Sequence, residues 1–252
     1  MQESSHAGSV HAHARQVTIV VPTFREAENI PGLVDRIGAV RAQAGIDLHL
    51  VIMDDDSQDG STELVSERTE PWVELVVRRE NRGLSQAVLD GMRKAKGDVL
   101  VCMDADLSHP PEAVPAMIAA LDQGADFVLG SRYVEGGSTD DEWSLFRWAN
   151  SMVATLLARP FTSVRDPMSG FFALRRSTFE AAQQLSPIGY KIGLELIVKC
   201  GCSRVTEVPI HFADRQRGES KLSLRQQILY LQHLGRLAWF KCRRLRPGRP
   251  FR

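Results

Sequence analysis

Between residues 17 and 130, short β-branched runs alternate with segments in which apolar residues recur at helical spacing. The strand-like runs cover residues 17–21, 48–53, 73–78, 99–103 and 127–129. The helical segments between them cover residues 26–40, 61–67, 84–94 and 112–121. Continuous apolar strands separated by helices are typical of a parallel sheet covered on both faces. The pattern predicts an α/β fold whose ligands bind beyond the carboxyl ends of the strands.

The second half of the chain is less regular. Its pattern predicts helices at residues 140–157, 177–185 and 192–200, strands at 171–174 and 205–210, and a last helix from about residue 224 to 240. No internal repeat and no linker stands out. The simplest division has a disordered leader (1–16), one α/β domain (17–222), and an amphipathic helix with a basic tail (223–252).

Residues 1–16 lack the apolar core of a secretory signal, and no run of 18 apolar residues occurs. Cys200 and Cys202 form a C-x-C motif without a second pair, which is not the spacing of a zinc site. We therefore expect reduced thiols, a cytoplasmic location and no membrane-spanning helix.

The net charge of zero conceals an uneven distribution. Residues 215–252 hold 11 basic residues and a single acid, Glu219, whereas the remainder holds 20 basic and 30 acidic residues. This split indicates an anionic partner for the tail, and a simple solvated basic terminus is the alternative. We expect that partner to be an anionic membrane surface, and we expect no nucleic acid.

Two aspartates follow the apolar run at residues 99–103, in the order Asp104-Ala105-Asp106. Alternate residues of a strand point to the same face, so both carboxylates can be directed at one point. Hard oxygen ligands of this kind suit Mg²⁺ or Mn²⁺ bound to a pyrophosphate. The alternative is that the carboxylates cap the helix that begins near Pro110.

Acidic residues also follow the second predicted strand, as Asp54, Asp55 and Asp56. Adjacent carboxylates repel one another, so a ligand or hydrogen bonds must compensate their charges. A ribose or base could do so, whereas turn and cap chemistry is the preferred interpretation for residues 56–61. The first strand ends at Pro22, which supplies a third wall of the same site.

Together these motifs resemble a known family. They are P-T-F-R-E from residue 22, D-D-D-S-x-D-G-S from 54, N-R-G-L-S-x-A-V from 81, M-D-A-D-L-S-H-P-P-E from 103, G-S-R-Y from 130, D-P-M-S-G-F-F from 166 and R-x-R-G-E-S-K from 215. The sequence resembles the dolichol-phosphate mannose synthases, which are family-2 glycosyltransferases, from about residue 17 to 237. The resemblance implies a GT-A fold, a Rossmann-like, mostly parallel sheet with helices on both faces, followed by the C-terminal amphipathic helix.

The resemblance also implies a donor site. The positions that match contacts to the guanine nucleotide are Pro22, Phe24 and Glu26. Asp55 matches the carboxylate near base and ribose. The positions that match the metal and diphosphate site are Asp104, Ala105 and Asp106. Ser108 stands where close relatives have a glutamine metal ligand, and its shorter hydroxyl favours a bridging water. The late loop that closes over the donor supplies Arg215 and Lys221.

For the acceptor, the resemblance implies a phosphate site formed by Arg132, Arg147 and Ser151. A lipid phosphate is already an anionic nucleophile, so no general base is required. Positioning and electrostatic stabilisation of the leaving diphosphate are then the main tasks, carried by Asp106, Arg132, Arg147, Ser151 and Arg215. In-line attack inverts the anomeric carbon. The expected reaction is transfer of mannose from GDP-mannose to a polyprenyl (dolichyl) phosphate.

Other functions stay open at this stage. The donor could carry glucose on UDP or an amino sugar, and a nucleotide-binding module without turnover is a further alternative. A Rossmann dehydrogenase is disfavoured because no G-x-G-x-x-G motif follows the first strand.

Two segments carry apolar residues suited to a lipid. The predicted helix at 140–157 carries large apolar residues, namely Trp143, Phe146, Trp148, Met152 and Leu156. These predict a membrane interface, with packing into the core as the alternative. The last helix is followed by six basic residues in the final 12, which predicts an amphipathic anchor on the cytoplasmic face of a membrane. A docking helix for a separate membrane-protein partner is the alternative.

Overall fold

The computed structural model describes residues 16–140, 145–186, 188–213 and 224–244, and the described side chains exclude those of 145–149 and 224–225. The strands are β1 (Gln16–Thr23), β2 (Asp47–Asp54), β3 (Val73–Val77), β4 (Val99–Cys102), β5 (Phe127–Ser131), β6 (Ser138–Thr139), β7 (Phe172–Arg175), β8 (Val205–Pro209) and β9 (His211–Phe212). The helices are α1 (Ile30–Ala44), α2 (Ser61–Ser66), α3 (Leu84–Lys94), α4 (Val114–Asp122), α5 (Leu145–Ala158), α6 (Arg176–Glu180), α7 (Ile192–Lys199) and α8 (Leu224–Arg244).

A seven-stranded sheet in the order β3-β2-β1-β4-β7-β5-β8 forms the centre of the fold. Its neighbouring strands are parallel except β7, which runs antiparallel between β4 and β5. The expected mostly parallel sheet is therefore confirmed. The parallel strands β1, β2 and β4 are direct neighbours, so their carboxyl ends meet at one edge of the sheet.

Apolar cores lie on both faces of the sheet, as the continuous apolar strands predict. Ile19 and Val21 of β1 pack with residues of α1 and α4, whereas Val20 packs with residues of α3 and α7. Alternate strand residues point to opposite faces, which assigns each to its own core. A Cβ atom on Gly91 of α3 would lie 2.4 Å from Val20 Cγ1, so glycine is required for α3 to pack this closely.

Several predicted helices have different bounds in the structure, and the last one continues to Arg244 rather than ending near residue 240. The helix expected from residue 26 begins at Ile30, because a turn in which the amides of Asn29 and Ile30 donate to the Glu26 carbonyl comes first. Pro31 then occupies the first helical turn, where a missing amide hydrogen has no cost. The helix expected at 177–185 ends at Glu180. The sequence pattern also missed the small sheet in which β6 pairs with β9, since each strand has two residues.

The C-terminal helix α8, expected to be an amphipathic membrane anchor, packs one apolar side against the domain instead of leaving all of its apolar residues for a membrane. Tyr230, Leu234, Leu237 and Phe240 of α8 form a third apolar cluster with residues that include Ala158 of α5, Met168, and Leu194 and Val198 of α7. The Tyr230 hydroxyl donates to the Ala154 carbonyl of α5 at 2.7 Å. Among the described helices, none has both the length and the apolar composition needed to cross a bilayer.

Candidate active site

The walls of the site form where β1, β2 and β4 end. The Asp55 amide donates to the Thr23 carbonyl at 3.0 Å, and the Thr23 hydroxyl donates to Asp54 Oδ1 at 3.2 Å. The Met103 amide donates to the Val20 carbonyl at 3.2 Å. These bonds continue the sheet beyond its strands, so the segments that carry Pro22, Asp55 and Asp104 lie side by side.

A turn, rather than strand alternation, places the aspartate pair. Strand β4 ends at Cys102, and Leu107 has a left-handed backbone with φ of 62°. The Ser108 amide and hydroxyl both donate to Asp106 Oδ1, at 3.2 and 2.5 Å. Asp106 is buried, whereas the Asp104 side chain is 31% exposed. Among the described hydrogen bonds, no side chain caps the 3₁₀ helix Pro111–Ala113 or α4. The alternative that Asp104 and Asp106 cap a helix therefore has no support.

His109 supports this turn from within the core, a contact that the sequence analysis missed. Its Nδ1 accepts the amide hydrogen of Asp104 at 3.0 Å. The ring stacks on Phe171 with centroids 5.3 Å apart and meets Phe212 edge-on at 5.4 Å. Burial lowers the pKa of His109, against the opposing effect of the nearby carboxylates. A neutral imidazole can therefore act as the acceptor that fixes the Asp104 backbone.

The donor atoms at this turn fit a hard divalent cation. Asp104, Asp106 and the Ser108 hydroxyl present oxygen ligands only, the type that Mg²⁺ and Mn²⁺ prefer. Within the described ranges, no group of three or more His, Cys, Asp or Glu residues forms a complete metal site. A cation here would take further oxygens from a ligand, as Mg²⁺ commonly does with substrate phosphates.

Protein groups compensate the three acids that follow β2. Asp55 accepts hydrogen bonds from Arg78 Nη1 and, at 2.7 Å, from the Gly83 amide, and it is buried. Asp54 accepts the Ser57 amide at 2.9 Å, and Asp56 pairs with Arg82. Arg78 and the Gly83 amide thus donate to one carboxylate oxygen each, and the predicted contact of Asp55 with base or ribose stays a prediction.

Turn chemistry at residues 56–61 agrees with the preferred interpretation. Asp59 accepts the Ser61 hydroxyl at 2.6 Å and the Ala27 amide at 3.0 Å. Burial acts to raise the pKa of Asp59, but these hydrogen bonds outweigh it and lower the pKa. Asp59 thus joins the loop after β2 to the loop after β1.

The loop after β1 contains the other predicted donor contacts. Pro22 is buried, whereas Phe24 is 42% exposed at the edge of the site. The Glu26 carboxylate accepts the Asn29 side-chain amide at 2.6 Å. Arg215 and Lys221, predicted to close over the donor, lie outside the described residues.

Arg132, predicted to bind the acceptor phosphate, is held by a buried carboxylate. Its Nε and Nη2 donate to the two oxygens of Asp166, both at 2.7 Å, and its amide donates to Oδ2 at 3.2 Å. The Asp166 side chain is fully buried and that of Arg132 is 10% exposed. Burial opposes the charge of Arg132, but the hydrogen bonds and charge of Asp166 outweigh it and raise the pKa. The guanidinium is thus fixed in orientation and largely neutralised.

Ser151 is connected to this pair through Tyr133. The Tyr133 hydroxyl and Ser151 Oγ are 3.0 Å apart, and the Arg132 guanidinium lies 5.2 Å from the centroid of the Tyr133 ring. The structure therefore brings Arg132 and Ser151 to one region. Arg147 belongs to α5, but its side chain lies outside the described ones, as do those of Trp143, Phe146 and Trp148.

The large apolar side chains described on α5 are exposed, whereas the small Ala158 is buried. Met152 is 44% and Leu156 70% exposed, so these two residues do not pack into the core. Val153 and Leu157 are also exposed, as are Ile228, Leu231 and Trp239 of α8. Packing into the core, the alternative for the residues on this helix, is therefore wrong for Met152 and Leu156.

Lys191 is a second residue that the sequence analysis missed. Its Nζ donates to the Met168 carbonyl at 2.8 Å and lies 4.3 Å from the centroid of the Tyr190 ring. Burial of the amine and, secondarily, the charge of Arg132 lower the pKa of Lys191 to about 7. No spacing in the sequence marks it, because its position depends on how α7 meets the loop before β7.

Comparison with known proteins identifies the class. Residues 18–182 match the model of Glycosyl transferase family 2. The chain therefore belongs to this family and is a glycosyltransferase. It is 45% identical over 233 residues to the dolichol-phosphate mannosyltransferase of Mycosarcoma maydis, covering 89% of this chain and 79% of the relative.

A second dolichol-phosphate mannosyltransferase, from Pyrococcus furiosus, is 42% identical over 227 residues. That match covers 88% of this chain but 63% of the relative, so this chain spans less than two thirds of the archaeal protein. Within the family, the chain thus groups with the dolichol-phosphate mannosyltransferases, and the resemblance inferred from the motifs is confirmed.

A solved structure shares the fold. Glucosyl-3-phosphoglycerate synthase from Mycobacterium tuberculosis, in complex with Mn²⁺, uridine diphosphate and glucosyl-3-phosphoglycerate, superimposes with a TM-score of 0.66. The identity is 19%, and the match covers 90% of this chain and 80% of the other. The expected GT-A type of fold is confirmed.

Proposed function

We propose that this enzyme transfers mannose from GDP-mannose to a polyprenyl (dolichyl) phosphate, with inversion, on the cytoplasmic face of a membrane. The observation that carries the proposal is the turn beyond β4 that holds Asp104 and Asp106, close enough to the Arg132–Asp166 pair for the charge of Asp104 to act on Arg132. The names of the two relatives support mannose as the sugar and dolichol phosphate as the acceptor.

In the proposed donor site, Asp104, Asp106 and Ser108 hold Mg²⁺ or Mn²⁺. The bound cation would neutralise the charge that develops on the departing diphosphate. Ala105 lies between the two ligands, and Phe24 offers an aromatic surface to the base. Pro22, Glu26 and Asp55 shape the nucleotide side, and Arg215 and Lys221 complete the site when the late loop closes.

In the proposed acceptor site, Arg132, Arg147 and Ser151 position the lipid phosphate for attack on the anomeric carbon. The phosphate is already ionised, so none of these residues has to remove a proton. Asp166 fixes the Arg132 guanidinium in one orientation, which reduces the entropy that binding must remove. The exposed apolar residues of α5 lie within about two turns of Ser151, where the prenyl chain would leave the site.

Asp106→Asn is the direct test of the metal site. It should reduce kcat by about 100-fold or more, because the amide no longer carries the charge that holds the cation. Activity of the unmodified enzyme should disappear in EDTA and return with Mn²⁺ or Mg²⁺. Asp35→Asn, at a side chain that is 68% exposed, is the control and should retain activity. Full activity in EDTA would exclude the proposed metal dependence.

A donor screen tests the sugar. We expect GDP-mannose to give product with a short-chain polyprenyl phosphate, and UDP-glucose and UDP-linked amino sugars to give little. Preferred turnover of a UDP sugar would replace the proposed donor. Tight binding of a nucleotide without any transfer would instead favour the non-catalytic module.

The membrane role of α8 and the tail is proposed from charge and exposure. Trp239 is 56% exposed and lies under the guanidinium of Arg243, at 3.8 Å from the ring centroid. An apolar residue paired with a cation suits the boundary between lipid headgroups and acyl chains. A separate membrane-protein partner for α8 is the alternative.

Deleting residues 245–252 removes three of the basic residues of the tail. Binding to anionic vesicles should weaken by about 1 kcal/mol for each charge removed, and binding to neutral vesicles should change little. High salt should have the same effect on the full-length chain. Unchanged binding to anionic vesicles would favour a docking helix for a partner subunit.

A further inference from the structure

The loop at residues 166–170, which precedes β7, joins the two halves of the site. Asp166 at its start binds Arg132. Gly170 at its end lies against the metal turn, where an added Cβ atom would be 3.4 Å from Asp104 Oδ2. Between them, the Met168 carbonyl accepts a hydrogen bond from Lys191 Nζ. Lys191 therefore contacts the segment that connects the acceptor side to the metal side.

Lys191 is half-buried just before α7, and it differs from Lys199, which is buried at the end of that helix. Lys199 Nζ lies 2.7 Å from Glu195 Oε1 and has its charge balanced there. Within the described part of the chain, no carboxylate lies within ion-pair distance of Lys191, whose contacts are the Met168 carbonyl and the Tyr190 ring. A partly desolvated cation without a direct ion-pair partner is unfavourable, and Asp166 and Asp104 act on Lys191 only through longer-range charge, which burial and Arg132 outweigh. Its presence in the site is best explained by an anion that arrives with the substrate.

We propose that Lys191 binds the phosphate of the polyprenyl phosphate acceptor, beside Arg132. This inference rests on the proposed function and adds to it a residue that the family motifs do not supply. Because Asp166 already neutralises Arg132, that pair orients the phosphate but contributes little net charge. Lys191 contributes the positive charge that the pair lacks, and its ammonium can exchange the Met168 carbonyl for a phosphate oxygen.

The position of Lys191 favours the acceptor over the donor. Helix α7 begins at the next residue, and its Leu194 packs with Ala158 of α5 and Tyr230 of α8. Of these two helices, α5 carries the exposed apolar residues that are proposed to meet the prenyl chain. The donor diphosphate has the Asp104–Asp106 turn and its cation to balance its charge. The acceptor phosphate has the greater need for an unpaired cation.

Steady-state kinetics of the full chain test the inference. Lys191→Met should raise the KM for a short-chain polyprenyl phosphate by about 10- to 100-fold, the usual range for a lost charged hydrogen bond. The KM for GDP-mannose should stay within about twofold of the unmodified value, since the cation of the donor site is unchanged. Lys191→Arg should recover part of the loss. Lys94→Met, at an exposed lysine paired with Glu74, is the control and should change neither KM.

Direct binding makes the result independent of turnover. A short isoprenyl monophosphate should bind the unmodified enzyme more tightly than Lys191→Met, and the matching isoprenyl alcohol should bind both equally. If the unmodified enzyme transfers no mannose, the proposed function fails, and this comparison still tests the phosphate site. Equal monophosphate affinity in both proteins, or a kinetic loss confined to GDP-mannose, would overturn the assignment of Lys191.

Discussion

Replacing Asp166 by asparagine should destabilise the fold far more than the loss of an ordinary surface ion pair. Asp166 is fully buried and accepts three hydrogen bonds from Arg132. An asparagine keeps the size of the side chain but removes its charge, and it leaves the Arg132 guanidinium buried without a counter-charge. Breaking a buried pair in this way typically costs about 3–5 kcal/mol.

That cost is a large fraction of the roughly 5–15 kcal/mol that stabilises a typical domain. For a chain of this size, each kcal/mol lowers Tm by about 2–4 °C, so a fall on the order of 10 °C is expected. Thermal and urea unfolding followed by circular dichroism measure it. Glu112→Gln is the matched control, because its pair with Arg36 is exposed and should be worth less than about 1 kcal/mol.

A double-mutant cycle with Arg132→Met tests the cause. If the cost comes from an unpaired buried charge, Arg132→Met should recover part of the stability lost in Asp166→Asn. Additive losses, or an Asp166→Asn variant no less stable than Glu112→Gln, would refute the argument that these two residues act as one buried unit.

Two further predictions concern the residues that the sequence analysis missed. His109→Phe keeps an aromatic ring against Phe171 but removes the acceptor of the Asp104 amide hydrogen. The Mn²⁺ concentration for half-maximal activity should therefore rise about 10- to 100-fold. An unchanged Mn²⁺ dependence would contradict this prediction. Lys191→Met should raise Tm most below pH 7. The pKa of Lys191 is lowered to about 7 in the folded enzyme, so below that pH the folded state carries the full cost of holding a charged amine away from water. The gain in Tm should shrink as the pH approaches 10, because there the amine loses its proton in the unfolded chain as well. Thermal unfolding between pH 6 and 10 measures this gain. A gain in Tm that is independent of pH would contradict the assigned pKa.

The sequence alone determined the order of elements in the first half of the chain and the position of the aspartate pair. Runs such as residues 99–103 are apolar throughout, and only a strand buried on both faces requires that composition. The acids that follow them mark the ends of strands, because charged groups cannot continue into the core. The family motifs then supplied the remaining predicted site residues without any geometry.

Only the tertiary structure decided which side chains meet. Arg132 and Asp166 are 34 residues apart, and they pair because β7 enters the sheet antiparallel between β4 and β5 and carries the loop at residues 166–170 to the end of β5. Lys191 reaches that loop because Leu194 and Val198 of α7 pack with Met168 of the loop. Such contacts depend on the register and direction of strands that are distant in sequence, and local periodicity contains no information about either. The charge balance of the site was therefore decided by the fold, because a guanidinium is neutralised only by the carboxylate that the fold places beside it.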